Sequence, residues 1–488
     1  MSLKIYNTAT RKKETFQPIR EGSVGLYVCG ITAYDVCHVG HARAAIVFDV
    51  VVRYLRARGY QVTFVKNFTD IDDKIIDRAN QEGVNFREIS ERYIQAHDED
   101  MEALGVCTPT VTPKATEHMA EMIALVKTLE DKGFAYCVDG DVYFSIRDFR
   151  DYGKLSGRNL EDMIAGARVD VNDKKRNPLD FVLWKKSKAG EPFWDSPWGK
   201  GRPGWHIECS AMSARYLGET FDIHGGGEDL IFPHHENEVA QSTAATGKPL
   251  AHYWMHNGFV KINSEKMSKS LGNIFPVREI LKHYHPEVLR LFILQNHYRS
   301  PVDYSDGALN EARSALLRGY TALKLVKDLL QALPDSADRF KQGSDKWDED
   351  FSDLADKFNA AMDDDFNTAQ ALGYVFETVR RMNYIAADKQ MKPSEKAQKL
   401  AAAERTMGYF ASVLGVFHSD ADAFFMSDKE KELRKRGLNA ADIEALVAQR
   451  NAARAAKDWA TADAIRAQLA QQNIVLKDTA GQTHWMIE

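Results

Sequence analysis

The strongest constraint on the fold is a strand–helix–strand pattern near the start of this 488-residue chain. Residues 24–30 form a short apolar run that ends in glycine, which is typical of a buried parallel strand. Apolar side chains follow with helical spacing over residues 39–58, and residues 61–68 form a second apolar run. Such a βαβ unit binds ligands at the carboxyl ends of its strands. We therefore expect a ligand site in the loop of residues 29–41.

The chain is too long for a single hydrophobic core, so we expect several domains. The fold class that the patterns predict is α/β. It comprises a Rossmann-type parallel-sheet domain split by an insertion, then an α-helical bundle and a small mixed α/β C-terminal module. The predicted segments are the first half of the sheet domain at 1–115, the insertion at 116–202, the second half at 203–300, the bundle at 301–426 and the module at 427–488.

The pattern after residue 250 gives more specific expectations. A strand-like run covers residues 252–262, and continuous helices are predicted over 307–333, 351–387 and 441–471. Two short strands are predicted after the last helix, at residues 474–476 and 483–485.

The composition excludes some classes of protein. Lys and Arg number 64 against 70 Asp and Glu, a formal net charge of −6, which argues against a polybasic nucleic-acid binder but allows a local basic face. The five cysteines are too few and too scattered for a disulfide scaffold. No run of about 18 apolar residues could span a membrane, and the N-terminus lacks the apolar stretch of a signal peptide. We therefore expect a soluble cytoplasmic protein.

The sequence His38-Val39-Gly40-His41 opens the first predicted helix. A helix N-terminus favours phosphate, imidazoles at i and i+3 share one helix face, and Gly40 leaves room for a flat ring. This pattern indicates a nucleotide site whose imidazoles contact phosphate oxygens. Taken alone, it fits two surface histidines at a tight helix start equally well.

A second motif, at residues 266–273, reads Lys-Met-Ser-Lys-Ser-Leu-Gly-Asn. Lys266 and Lys269 with the hydroxyl of Ser268, in a loop that ends in glycine, suit a cover for a triphosphate. Phosphoryl chemistry needs this kind of charge stabilisation. A solvated lysine turn is the alternative, but the order of the two motifs and the βαβ context favour the nucleotide site.

The two motifs together resemble the HIGH and KMSKS signatures of class I aminoacyl-tRNA synthetases, with Val39 in place of the usual isoleucine. Four further segments narrow the resemblance to the cysteinyl-tRNA synthetase family, over nearly the whole chain. They are Cys-Gly-Ile-Thr at 29–32, Thr-Asp-Ile-Asp-Asp-Lys at 69–74, Gly-Trp-His-Ile-Glu-Cys-Ser at 204–210, and His-Gly-Gly-Gly-Glu-Asp-Leu-Ile-Phe-Pro-His-His-Glu-Asn-Glu at 224–238.

The resemblance implies specific site residues. One zinc ion per chain would be held by Cys29, Cys209, His234 and Glu238, all of residue types that zinc accepts. Thr69 and Trp205 would line the amino-acid pocket. The ATP contacts that the resemblance implies are His38, Gly40 and His41 of the first signature, Lys266, Ser268 and Lys269 of the second, and Gly225, Gly226, Gly227 and Asp229. The spacing alone would not identify this zinc site, because the chain has no Cys-x-x-Cys pair.

The resemblance also implies a function, which is the ligation of L-cysteine to tRNA(Cys) with Mg-ATP, by a monomer. His38, His41, Lys266 and Lys269 would stabilise charge on the phosphates. The insertion would contact the acceptor end of the tRNA, and the bundle and the C-terminal module would bind the stem and the anticodon. Candidate anticodon contacts are Trp459, Trp485, Arg450 and Arg454, although core packing is the favoured role of Trp459.

Two other functions fit parts of the sequence. A ligase that passes activated cysteine to an amino sugar would share the zinc site and both signatures, but it would not need the C-terminal module. A non-catalytic tRNA-binding paralogue would be expected to lose a zinc ligand or a KMSKS lysine, and none is missing here.

Overall fold

The computed structural model describes residues 2–158, 174–262, 265–266, 275–332, 349–479 and 482–487. The predicted βαβ unit is present, and β3 pairs with β4 in parallel. The elements of this first part of the chain are β1 (Lys4–Asn7), β2 (Lys12–Thr15), β3 (Ser23–Thr32), α1 (Val39–Ala57), β4 (Gln61–Thr69), α2 (Asp73–Glu82) and α3 (Phe86–Ala103).

The insertion forms a small antiparallel sheet of its own, in the strand order β5–β6–β7–β8. Its elements are α4 (Met119–Asp131), β5 (Ala135–Val138), β6 (Asp141–Phe144), β7 (Phe181–Lys186) and β8 (Gly201–Pro203).

The second half of the central domain completes a parallel sheet in the order β10–β9–β3–β4. The run 252–262, expected as one strand, is two strands. They are interrupted at Gly258, where a Cβ atom would lie 2.6 Å from the carbonyl oxygen of Arg299. The elements are α5 (Trp205–Leu217), β9 (Phe221–Gly227), α6 (Glu236–Thr246), β10 (Ala251–Asn257), β11 (Val260–Ile262), β12 (Glu265–Lys266), α7 (Val277–His283), α8 (Pro286–Leu294) and β13 (Val302–Tyr304).

The rest of the chain is mainly helical, as predicted. The helices are α9 (Asp306–Ala332), α10 (Glu349–Asp363), α11 (Thr368–Ala387), α12 (Pro393–Leu414), α13 (Ala421–Lys435), α14 (Ala440–Ala455) and α15 (Trp459–Gln471). The predicted C-terminal strands are confirmed as an antiparallel hairpin of β14 (Ile474–Thr479) and β15 (Gln482–Ile487).

Two helices that were predicted to be continuous are broken. The break in 351–387 lies at Asp365 and Phe366, which have left-handed φ values of 64° and 52°. The buried carboxylate of Asp365 accepts hydrogen bonds from the Tyr6 amide and the Tyr298 hydroxyl, which fixes this turn. The break in 441–471 follows Lys457 (φ 62°), and Asp458 caps the next helix. Both predictions were wrong because helical periodicity does not reveal a break whose cause is a tertiary contact or a cap.

The central sheet separates two hydrophobic cores. On one face, α1 packs against Val28 and Phe64, and this core continues into the helical bundle as far as Phe424. On the other face, Tyr27 and Val65 pack with the insertion and with α5 and α6. The C-terminal module has a third, separate core around Ile443, Leu469 and Ile474. The predicted domain boundaries stay predictions, and α13 runs across residues 426 and 427, where one of them was placed.

One buried ion pair joins α1 to the helical bundle. Arg290 and Asp49 are both almost wholly buried, and the guanidinium of Arg290 donates to the carboxylate of Asp49. The same guanidinium donates to the carbonyl oxygens of Leu414, at 2.9 Å, and of Leu104, at 3.2 Å. Burial alone would raise the pKa of Asp49, but the charge of Arg290 holds it below its usual value. The pair therefore fastens α1, α8 and the end of α12 to one another.

We expect Arg290→Met to lower the free energy of unfolding by about 3–5 kcal/mol. The buried carboxylate of Asp49 then keeps only one ion pair, with the partly exposed Arg53, and the carbonyl oxygens of Leu104 and Leu414 lose a donor. Thermal and urea denaturation would measure the change. The control is Lys248→Met, which breaks an exposed ion pair with Glu219 and should change stability by less than about 1 kcal/mol. Equal shifts for the two variants would contradict this role of Arg290.

Candidate metal centre and nucleotide site

The four residues predicted to hold a metal ion lie together. One potential ligand atom from each of Cys29, Cys209, His234 and Glu238 lies within 4.8 Å of the others. Cys29 lies on β3, Cys209 on α5, Glu238 in the first turn of α6 and His234 just before that helix. Three separate segments therefore converge at the carboxyl edge of the sheet. All but Cys29 are buried.

The distances in this cluster suit a tetrahedral metal ion. The Cys29 Sγ–Cys209 Sγ distance is 3.7 Å, and Cys29 Sγ lies 3.4 Å from Glu238 Oε1. Metal–ligand bonds of about 2.0–2.3 Å give tetrahedral edges of roughly 3.3–3.8 Å. His234 Nε2 lies 3.1 Å from the same carboxylate oxygen, yet it is a buried nitrogen without a well-formed hydrogen bond in the described structure. The donor set and its spacing therefore fit a metal ion.

The ionisation of the cluster also suits a cation. A hydrogen bond from Cys29 lowers the pKa of the Cys209 thiol to about 6. Burial would raise the pKa of Glu238, but the charges of His224 and His234 lower it to about 2. Likewise, burial would lower the pKa of His234, but the carboxylate of Glu238 raises it to about 10. Burial raises the pKa of the Cys29 thiol well above its usual value, so near pH 7 the cluster holds two anions, Cys209 and Glu238, and one cation, His234. A metal ion would take the place of the proton on His234 and balance the two anions.

Four further histidines surround the cluster, and none of them was predicted from the sequence to belong to the site. His206 Nδ1 lies 2.9 Å from His234 Nδ1, and His224 Nε2 lies 2.9 Å from Glu238 Oε2. His235 contacts Cys29 Sγ at 3.3 Å and His256 at 2.8 Å. Burial lowers the pKa values of His206, His235 and His256, so these three rings are neutral near pH 7. Such contacts orient metal ligands and fix their tautomers.

A second metal-compatible set consists of Cys29, His224, His235 and Glu238. It shares two residues with the first set, so the two describe overlapping positions within one pocket. One signal for His224 was available from the sequence, because it lies near the end of a predicted strand, where parallel strands collect their ligands.

The two residues predicted to line the amino-acid pocket differ in their surroundings. Trp205 is 40% exposed, and its ring lies 4.1 Å from the ring of His234 at the mouth of the cluster. Thr69 is buried, and its hydroxyl donates to Glu208 Oε2 at 2.6 Å. Burial raises the pKa of Glu208 well above its usual value. Glu208, the residue before Cys209 on α5, thus orients the Thr69 side chain.

The two histidines of the first signature form a capping box at the start of helix α1. His38 Nδ1 accepts the amide hydrogen of Gly40 at 3.1 Å, and His41 Nδ1 accepts that of His38 at 3.3 Å. The rings stack with their centroids 3.7 Å apart. Because Nδ1 is the acceptor in both rings, the neutral tautomer carries its proton on Nε2. We expected both histidines to lie on one face of the helix. His38 is instead the N-cap residue, one position before the helix begins at Val39.

A cavity of about 820 Å³ connects the two sites. Cys29 and Trp205 line it, as do His38, Gly40, His41, Gly226, Gly227 and Asp229. Gly225 does not line the cavity, and a Cβ atom at this position would lie 2.3 Å from the ring of Phe48. A Cβ atom on Gly226 would lie 2.7 Å from His235. These two glycines thus let the strand approach its neighbours closely, in addition to any role toward a ligand.

The second signature lies largely outside the described residues. The backbone of Lys266 ends β12, whereas Ser268 and Lys269 belong to the part that is not described. The chain is described again from Phe275, whose carbonyl oxygen accepts the Val39 amide at 3.2 Å. His38 also forms a β-bridge with Pro276. The residues that follow the second signature are therefore in contact with the first.

Comparison with known proteins identifies the family. Residues 15–314 match the model of the tRNA synthetases class I (C) catalytic domain. The chain belongs to the class I tRNA synthetases of the cysteine type. Residues 357–418 match the DALR domain, and residues 432–485 match the cysteinyl-tRNA ligase anticodon binding domain.

Similar proteins cover the whole length of this family member. It is 56% identical to the cysteine–tRNA ligase of Geobacter sulfurreducens over 488 residues and 54% identical to that of Geobacter metallireducens over 492, with 100% of each chain covered. A structure of Mycobacterium tuberculosis methionyl-tRNA synthetase in complex with methionyl-adenylate has a TM-score of 0.60 at 17% identity. That match covers 83% of this chain and 93% of the other, and it confirms the α/β fold class.

We expect Cys209→Ser to weaken metal binding by more than about 100-fold, because it removes a thiolate, and even a residue that only contacts a metal ligand is worth 10–100-fold. Zinc as the probe metal, measured after dialysis against a chelator, would test this. The matched control is Cys137→Ser, an exposed thiol on β5, which should keep the metal. Full retention of zinc by Cys209→Ser would contradict the ligand assignment.

Proposed function

We propose that this chain is a cysteine–tRNA ligase. It activates L-cysteine with ATP to cysteinyl-adenylate and pyrophosphate, and then transfers the cysteine to the terminal adenosine of tRNA(Cys). The observation that carries the proposal is the shared cavity, in which Cys29 of the metal-compatible cluster and both histidines of the first signature line one space. An amino acid held at the cluster would lie beside a nucleotide held at the histidines.

The metal is zinc, one ion per chain, held by Cys29, Cys209, His234 and Glu238. Two thiol ligands, an imidazole and a carboxylate suit zinc better than a hard cation such as Mg²⁺. When bound, zinc supplies preferential coordination of a thiolate over a hydroxyl. Pocket shape alone separates near-isosteres such as cysteine and serine by only roughly 10–200-fold. A metal that selects the thiolate would therefore remove the need for a separate editing site.

The activation step needs charge stabilisation more than a protein nucleophile. The cysteine carboxylate attacks the α-phosphorus of Mg-ATP in line, and pyrophosphate leaves. His38 and His41 offer Nε2–H donors in a fixed orientation, because their Nδ1 atoms are held by the helix cap. Lys266 and Lys269 neutralise the phosphate charge, with Ser268 beside them. Gly226, Gly227 and Asp229 bind the adenosine, and Trp205 and Thr69 define the cysteine side.

The transfer step needs the tRNA to reach the same cavity. A ribose hydroxyl of the terminal adenosine attacks the carbonyl carbon of the adenylate, and AMP leaves. The insertion at 116–202 shares a core with α5 and α6, so an acceptor end bound there would lie next to the metal cluster. The segments 301–426 and 427–488 bind the stem and the anticodon.

Trp459 is the strongest candidate for an anticodon contact. It is 59% exposed at the start of α15, so the favoured expectation of core packing was wrong. Arg450 and Arg454 both pair with Asp478, and the ammonium group of Lys429 lies 3.2 Å from the centre of the Trp485 ring. An exposed indole can stack on an unpaired base, which is the usual mode of recognition for single-stranded RNA.

We also propose that the protein works as a monomer, and in the cytoplasm, where tRNA is charged. Its cysteines are free, as a reducing compartment requires. Among the described residues, no helix has the length and apolar character needed to cross a bilayer.

Of the two alternatives, transfer to an amino sugar keeps the cysteine-activating chemistry. The match of residues 432–485 to an anticodon-binding domain favours tRNA as the acceptor. A non-catalytic paralogue is disfavoured because every proposed zinc ligand and both KMSKS lysines are present in the sequence.

We expect the zinc-loaded protein to catalyse cysteine-dependent ATP–pyrophosphate exchange, with serine at least about 100-fold less effective, a ratio near the limit of pocket shape alone. Charging of tRNA(Cys) would then be measured with the same preparation. Exchange without charging would support the amino-sugar ligase. No exchange with cysteine would refute both enzymatic proposals.

We expect Trp459→Ala to raise the KM for tRNA(Cys) by roughly 5–150-fold, because stacking of one base on an aromatic ring is worth about 1–3 kcal/mol. The exchange reaction should be unchanged, since it needs no tRNA. The control is Trp459→Phe, which keeps an aromatic face at the same exposed position and should retain most of the affinity for tRNA(Cys). An unchanged KM for tRNA in Trp459→Ala would exclude the stacking role.

A further inference from the structure

The start of helix α6 has two faces with different partners. His234, just before the helix, and Glu238 contribute to the metal cluster, whereas Glu236 and Asn237 between them contact the insertion. Residues four apart share a helix face, and a residue halfway between them points away from it. Contacts to Glu236 therefore fix the position of the helix turn from the side opposite to the two proposed metal ligands.

A short loop of the insertion holds this back face. The wholly buried carboxylate of Glu236 accepts the amide hydrogens of Gly153 and Ser156, each at 2.8 Å, one on each oxygen. The Tyr152 hydroxyl donates to Asn237 Oδ1 at 2.6 Å. We call residues 152–156 together with Glu236 and Asn237 the clasp.

Contacts on both sides hold the clasp in place. The guanidinium of Arg158 lies 4.4 Å from the centre of the Phe232 ring, just before His234. Arg11, at the N-terminal hairpin, donates to the carbonyl oxygen of Ser156 at 3.3 Å. The loop is thus fixed to the central domain as well as to α6.

The clasp requires a buried carboxylate, whose desolvation costs free energy that an apolar contact between the insertion and α6 would not. A buried carboxylate loses its hydration and is stable only when its oxygens are hydrogen-bonded. Within the described ranges, no lysine or arginine pairs with Glu236, and backbone amides are the partners that the structure gives it. Because the amides of Gly153 and Ser156 each bond one oxygen, the carboxylate of Glu236 can occupy only one position, and this fixes the helix turn that carries it.

We propose that Glu236 is a positioning residue for cysteine recognition. Through the clasp, the insertion sets the position of His234 and Glu238, and so the geometry of the metal and cysteine site. The inference rests on the proposed function and adds a second role for the insertion, next to the contact with the acceptor end. Glu236 touches neither the metal cluster nor the nucleotide cavity and acts only through the helix turn.

The test is Glu236→Gln in the full-length, zinc-loaded protein. The glutamine amide group replaces one acceptor oxygen and leaves one buried amide without a partner. We expect a zinc affinity at least about tenfold weaker in a chelator competition, the lower end of the effect of partners of metal ligands. We also expect the KM for cysteine to rise about tenfold in the exchange reaction, with the KM for ATP changed by less than about twofold.

The matched control is Asp180→Asn. Asp180 is also a buried carboxylate of the insertion, and it accepts the amide hydrogens of Ile146 at 3.0 Å and Asn177 at 3.1 Å. It contacts neither α6 nor the clasp through these bonds. This variant should lower thermal stability without changing zinc affinity or the KM for cysteine. The same change in both variants would reduce Glu236 to an ordinary stabilising residue and overturn the proposal.

A milder variant covers the case in which Glu236→Gln does not fold. Tyr152→Phe removes one hydroxyl from the clasp and should shift zinc affinity and the KM for cysteine in the same direction, by about threefold, which corresponds to one neutral hydrogen bond. Unchanged values there would overturn the proposal. If the unaltered protein shows no exchange with cysteine, the proposed function fails, while the zinc competition still decides whether Glu236 positions the metal ligands.

Discussion

The candidate site depends on the parallel pairing of β3 with β9. That pairing sets Tyr27 beside His224 and Val28 beside Gly225, so that Cys29 emerges next to the glycine-rich end of β9. The close approach is possible because Gly225 leaves room for Phe48 of α1. A shift of the register by one residue would turn Cys29 to the opposite face of the sheet. The metal cluster and the nucleotide cavity both follow from this one register.

Much of the architecture could be predicted from local patterns. The first βαβ unit, the helical second half and the C-terminal hairpin all carry periodicities that survive in the structure. The breaks at Asp365 and Lys457 could not be predicted in this way. The first depends on hydrogen bonds to Tyr6 and Tyr298, which are distant in sequence, and the second on a left-handed residue followed by a cap.

The candidate site, like the fold, could be predicted from the sequence only in part. Its two signatures were recognisable because each is continuous in the sequence. The metal set comes from three segments and was accessible only through the family resemblance. Of the histidines around it, only His224, near the end of a predicted strand, had a signal in the sequence. His206, His235 and His256 acquire that role from burial and from ring-to-ring contacts, which exist only in the folded chain. The clasp could not be predicted from the sequence either, because its contacts exist only in the folded chain. Without them, Glu236 is an ordinary acidic residue at a helix start.

The separate core of the C-terminal module has a consequence for heat inactivation. Its core is built on a few residues around Ile443 and Leu469, whereas the other two cores are continuous with the central sheet. A module of about 60 residues buries a smaller share of its surface than a large domain and is correspondingly less stable. On warming, the reading of tRNA would be lost before the chemistry of activation. The enzyme would then pass through a temperature range in which it still forms adenylate but no longer selects the RNA that receives it.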